Sequence, residues 1–154
     1  MRSPEVDQLL EVCASAMWAQ RVAAGGPYSD VDALLEQADR VLARLPNAEI
    51  DAALAGHPRI GGPIDNPSSA REQARVQNAA EQVRTDLADK NRAYEDKFGY
   101  VYLVCAGGRS AEELLDNLTE RLDNDAETER RVVRIELMKI NRQRLKRLSK
   151  EEGP

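Results

Sequence analysis

Apolar residues recur along this chain at three- and four-residue spacing, the signature of amphipathic helices. Ser3-Pro4 reads as an N-cap with proline at the first helical position, followed by Val6, Leu9, Leu10, Cys13 and Met17 at helical intervals. Gly25-Gly26-Pro27 ends that helix. Ser29 caps the next, whose stripe is Leu34, Leu35, Ala38, Val41, Leu42 and Leu45, and Pro46 stops it. A short helix from about Ala48 to Ala55 ends at Gly56. From His57 to Ser68 the pattern lapses into a loop holding Pro58, Gly61, Gly62, Pro63 and Pro67. Ser69 and Glu72 then stand at capping-box spacing and open a long helix that Gly99 breaks near Lys97. Tyr100 to Cys105 is a short β-branched and aromatic run that favours extended backbone, too isolated to build a sheet. Ser110 with Glu113 caps a helix lined by Leu114, Leu115, Leu118 and Leu122, and Asp125 opens the last helix, to about Leu148. The expectation is an all-α chain, a single compact multi-helix domain over 1–154 with its core at about 4–148, one Gly/Pro-rich loop and one extended connector.

Composition changes this picture only at its edges. The 154 residues include 42% hydrophobic and 32% charged residues, an ordinary globular mixture, and with only 4% aromatics the core must be aliphatic. The net charge of −5 argues against nucleic acid as a partner. No apolar run reaches the ~20 residues of a membrane span. Cys13 and Cys105 lie far apart and read as buried thiols of a reducing cytoplasm, the expected localisation. The chain has one histidine and no cysteine ligand spacing, so no metal site is expected; nor is there a phosphate loop, a dinucleotide fingerprint or a nucleophile elbow.

Helical geometry singles out Arg144 and Glu72, and its place in the loop singles out His57, the one histidine. On the last helix, Val133, Leu137, Ile140 and Leu148 share a face, and Arg144 falls in its middle. Such a guanidinium either snorkels outward or meets a carboxylate or an anionic ligand. On the long helix, Val76, Val83, Leu87 and Tyr94 share a face, with Glu72 within about 40° of Val76 and Ser69 one turn earlier. This is either a plain capping box or a helix start able to bind anions and carbonyl oxygens. His57, between a helix-ending glycine and Pro58, is either a packing residue or a proton-transfer group held in a fixed direction.

The sequence elements His57-Pro58-Arg59-Ile60-Gly61, Ser69-x-x-Glu72-Gln73, Tyr94-x-x-x-Phe98-Gly99-Tyr100, Arg121-Leu122-x-Asn124 and Glu136-x-x-x-Ile140-x-x-x-Arg144-Leu145 occur in this order. With Trp18-x-x-x-Val22 and Pro27-Tyr28-Ser29 ahead of them, they resemble the 2-oxo-4-hydroxy-4-carboxy-5-ureidoimidazoline (OHCU) decarboxylases. The resemblance spans roughly Pro4 to Leu148. It implies an all-helical, cofactor-free and generally homodimeric enzyme of urate degradation that yields (S)-allantoin. It implies that His57 is the catalytic acid/base, with Glu72 beside it. It further implies substrate contacts at Pro58, Ser69, Gln73, Phe98, Tyr100, Val101, Tyr102, Leu103 and Val104, and an anion-binding role for Arg144. Where family members often read Phe-Gly-Phe-Pro-Phe, this chain has Phe98-Gly99-Tyr100-Val101-Tyr102, which restores an N–H at Val101. The alternatives from other classes are a non-enzymatic helical interaction module docking through its basic last helix, and a hydrolase of a related ureide.

Overall fold

The computed structural model describes residues 3–57 and 81–151. Among them the chain is helical, with no strand: α1 Val6–Val12, α2 Ala16–Ala24, α3 Val31–Ala43, α4 Asn47–Ala55, α5 Glu81–Phe98, α6 Ala111–Leu122 and α7 Ala126–Glu151. The chain divides into two compact units, Met1–Gly56 with Leu137–Pro154, and His57–Glu136. The helix α7 contributes its first part to the second unit and its last part to the first.

In the first unit, the single N-terminal helix expected from the apolar spacing is two. Cys13 ends α1 in extended conformation, and Ser15 starts α2. The Trp18 N–H donates to Ser15 Oγ at 3.1 Å, and the Ser15 hydroxyl donates to Glu49 Oε1 at 2.8 Å. A serine with a capping bond on one side and a carboxylate on the other competes with continued helix, so the local hydroxyl chemistry overrides the apolar periodicity. The start of α1 also differs: a capping box between Glu5 and Gln8 forms it, in place of Ser3. At α3 the cap is Asp30, whose Oδ1 accepts from Ala33 N–H at 2.8 Å, in place of Ser29. Leu10, expected to face inward, is 36% exposed.

The interior of this unit is mainly aliphatic, with Trp18 and Tyr28 as its buried aromatic residues. The Trp18 ring is fully buried and its indole N–H donates to the Ala38 carbonyl at 3.3 Å, pinning α2 to α3. The α3 stripe of Leu34, Leu35, Ala38, Val41 and Leu42 is buried as its spacing predicts. Ser15 is fully buried and caps a helix, so Ser15→Ala is expected to lower stability by about 1–2 kcal/mol, as a shifted midpoint in urea with unchanged slope.

In the second unit, α5 packs on α6. Leu87 and Tyr94 from α5 meet Ala111, Leu114 and Leu118 from α6, and Tyr102, Val104 and Ala106 from the connector complete the cluster. The Ser110–Glu113 capping box stands as predicted, with Glu113 N–H donating to Ser110 Oγ at 3.1 Å. The last helix runs to Glu151, past the expected end at Leu148. Both cysteines are buried, and neither is in a disulfide.

Candidate active site

His57 follows directly on the Gly56 C-cap of α4 and is half-buried. The cap N–H donates back to the Ala53 and Leu54 carbonyls, which fixes the direction in which the chain leaves the helix. Pro58, Ser69, Glu72 and Gln73 lie outside the described residues, as does Val76. His57 and the segment from Phe98 to Val104 belong to the second unit, and Arg144 to the first.

The 98–106 segment begins where α5 stops. Phe98 is its last residue, and Gly99 has φ +85°, the left-handed conformation that glycine adopts without penalty. Its N–H donates to the Glu95 carbonyl at 2.8 Å, closing the last turn. Residues 101–106 carry neither helix nor turn, in line with the extended connector expected from the sequence.

The aromatic residues form a graded cluster. Tyr94 stands edge-on to Tyr100 and Tyr102, with centroids 6.0 and 5.5 Å away, and is tilted on Phe98 at 4.7 Å. Such arrangements match the ring quadrupoles. The Arg130 guanidinium lies 4.6 Å from the centre of the Tyr100 ring. Tyr102 is fully enclosed, and its hydroxyl donates to Asn117 Oδ1 at 2.5 Å. Burial raises the phenol pKa values of Tyr94, Tyr100 and Tyr102, and for Tyr94 the bond to Glu129 adds to it. All three phenols therefore stay protonated at neutral pH; Tyr94 and Tyr102 donate hydrogen bonds, and all three serve as packing surfaces, not as proton carriers.

Beneath this cluster sits a buried ion pair. Arg121 is 4% exposed and Glu129 is fully buried. Arg121 Nε and Nη2 both donate to Glu129 Oε2, at 2.9 and 2.5 Å. Arg121 Nη1 donates to the Leu103 carbonyl at 2.5 Å, and the guanidinium lies 4.7 Å from the Tyr102 ring centre. Tyr94 Oη donates to Glu129 Oε2, and Asn124 Nδ2 donates to Oε1 at 3.1 Å. Burial opposes the Arg121 charge, but the hydrogen bonds and charge of Glu129 outweigh it, and the guanidinium pKa ends above its ordinary value. A second buried carboxylate, Glu136, accepts from the Cys105 N–H at 3.1 Å.

Arg144 lies where the helical wheel puts it, inside. It is 6% exposed, so it does not snorkel, and its Nη1 donates to the Val12 carbonyl at 3.0 Å. Val12 is the last residue of α1, so this cation meets a carbonyl with no intrahelical partner, at the negative end of the helix dipole. Arg142, on the flank, donates from Nε to Asp39 at 2.8 Å.

The sequence reading gave no role to Arg121 and Glu136 and did not single out Glu129. The wheel that exposed Arg144 also exposes them. Arg121 shares a face with Leu114 and Leu118, and Glu129, Val133, Glu136 and Ile140 form another single face. Among the described residues, no group of three or more histidine, cysteine or carboxylate side chains is placed to hold a metal ion.

A family model described as OHCU decarboxylase matches residues 2–146. The chain is 28% identical over 155 residues to the uric acid degradation bifunctional protein TTL of Arabidopsis thaliana, covering 96% of this chain and 48% of that protein. It is also 28% identical over 141 residues to the 2-oxo-4-hydroxy-4-carboxy-5-ureidoimidazoline decarboxylase of Amia calva, covering 87% of this chain and 78% of that one. The chain thus spans about half the length of the plant relative. Among solved structures, a crystal structure of OHCU decarboxylase in the presence of (S)-allantoin superposes with TM-score 0.83 at 26% identity, over 92% of this chain and 96% of that chain.

Proposed function

The chain belongs to the OHCU decarboxylase family, and from that premise we propose that it converts 2-oxo-4-hydroxy-4-carboxy-5-ureidoimidazoline to (S)-allantoin, in the cytoplasm, as a homodimer and without a cofactor. The observation that carries the reading is the family match over residues 2–146, a span that contains the chain's one histidine, His57. The α-helical fold shared with the decarboxylase crystal structure supports it. No helix among the described residues is long and apolar enough to cross a membrane.

The substrate supplies its own electron sink. Its carboxylate leaves as CO2, and the bonding pair forms a ring C=C as the neighbouring imine nitrogen takes a proton. The resulting enol then loses its hydroxyl proton to become a carbonyl, while the carbon bearing the ureido group takes a proton on one face. The protein must orient the substrate and control these proton movements. His57 is the acid/base group, acting on the substrate hydroxyl and then supplying the stereospecific proton, with Glu72 orienting or polarising it. Proton transfer of this kind is worth about 10²–10⁴-fold. Positioning falls to the remaining contacts. Pro58, Ser69, Gln73 and residues 98–104 line the substrate, through Phe98, the aromatic Tyr100 and Tyr102, and the backbone of Val101, Leu103 and Val104. Arg144 meets its anionic group.

The test is stereochemical. Urate is oxidised in place by urate oxidase and hydroxyisourate hydrolase, this chain is added, and circular dichroism is followed. Fast appearance of optically active (S)-allantoin is expected. Racemic allantoin formed no faster than in the blank would overturn the reading and favour a helical interaction module; an optically active product other than allantoin would favour a hydrolase of a related ureide.

A further inference from the structure

Two buried charged side chains grip the 102–105 segment from two different helices. Arg121 of α6 donates to the Leu103 carbonyl at 2.5 Å, and Glu136 of α7 accepts from the Cys105 N–H at 3.1 Å. We infer that Arg121 and Glu136 are positioning residues that set the backbone of residues 102–105 for substrate. The inference rests on the functional reading above, which places this segment against the substrate.

Three observations carry it. A buried Arg–Glu pair contributes little net stability compared with apolar residues of the same volume, so stability does not by itself account for it. What the charged pair does, and leucine could not, is fix a carbonyl oxygen in place. Arg121 is itself over-determined, by two bonds to Glu129 and by the Tyr102 ring 4.7 Å from its guanidinium, so the carbonyl it holds has little freedom. The residues held are two apart. In an extended run such residues direct their backbone groups to the same edge, which turns the groups of Val104 to the other edge. Val104 is 3% exposed, yet among the described residues neither its N–H nor its C=O has a hydrogen-bond partner. Buried backbone groups are nearly always paired, and a polar ligand laid along that edge would pair them. Arg121 and Glu136 therefore act through the backbone without touching the substrate.

Arg121→Lys keeps a positive charge for Glu129 but loses the fork that reaches Leu103 at the same time. Glu136→Met removes the acceptor for Cys105 at similar volume, and Glu136→Gln keeps an oxygen acceptor. For Arg121→Lys and Glu136→Met, kcat/KM is expected to fall roughly 10- to 100-fold, mainly through KM, because a misplaced binding edge loses contacts made in ground and transition states alike. Glu136→Gln should recover most of that loss. Amide hydrogen exchange of Cys105 in the free protein should speed up in the first two variants and not in the third, with α3 amides unchanged. Should Arg121→Lys fail to fold, the two Glu136 variants decide alone. Wild-type KM and unchanged exchange in Glu136→Met would overturn the positioning role. A wild-type chain that makes no (S)-allantoin would overturn the functional reading and this role with it, whereas an active wild type with insensitive variants overturns this role only.

Discussion

A His57→Asn chain is expected to fold as the wild type does and to form (S)-allantoin roughly 10²–10⁴-fold more slowly, the usual worth of a positioned proton-transfer group. Asparagine keeps a polar side chain of similar reach but cannot take up and return a proton near neutral pH. His57 is half-buried just past the end of α4, whose Gly56 cap N–H bonds back to the Ala53 and Leu54 carbonyls, and the substitution leaves that cap in place. Far-UV circular dichroism and the melting temperature should therefore match the wild type while turnover collapses. Because the substrate decays spontaneously to racemic allantoin, the product should lose optical purity in step with the rate. Near-normal turnover by His57→Asn would remove histidine from the mechanism.

Glu129→Leu should be among the most destabilising single changes in the chain, at about 3–5 kcal/mol, because it leaves the Arg121 charge buried without its counter-ion. The same change removes the acceptor used by the Tyr94 hydroxyl and by Asn124. The sign is instructive when both charges go. Arg121→Met with Glu129→Leu should be more stable than Glu129→Leu alone, since no uncompensated charge remains, even though the Leu103 carbonyl loses its donor. Guanidinium denaturation of the two single variants and the double measures this directly. A double variant less stable than both singles would mean that the pair matters for something other than charge balance.

How far the sequence reached depended on which force decided each element. The stripes of α3 and α6 were legible because aliphatic residues at helical spacing have only one way to be buried together. The break between α1 and α2 was not, because it rests on the Ser15 hydroxyl finding Glu49, a residue 34 positions away. Asp30 caps α3 where Ser29 was expected, a one-residue choice between two good caps that local pattern cannot make. Arg144 was legible as an inward cation, but the carbonyl it meets belongs to the end of a helix that the periodicity had run through without a stop. Arg121, Glu129 and Glu136 were hidden for a different reason: polar residues dilute an apolar face, so a stripe that alternates charge with valine and isoleucine does not read as a stripe. As for chemistry, neither spacing nor composition separated a catalytic His57 from a packing one. Only the resemblance favours the catalytic reading of His57, and it is also the source of the roles proposed for Ser69, Glu72 and Gln73, which lie outside the described residues.

The chain has one tryptophan, and it is sealed between α2 and α3 in the first unit, whereas three of its four tyrosines stack together in the second. Its native optical spectrum is thus partitioned by unit. Emission excited at the red edge of the indole band reports Trp18 and the first unit alone, while near-ultraviolet ellipticity below that band is weighted towards Tyr94, Tyr100 and Tyr102. A single denaturation followed at both wavelengths would show whether the two units melt as one, with no label attached and no residue changed.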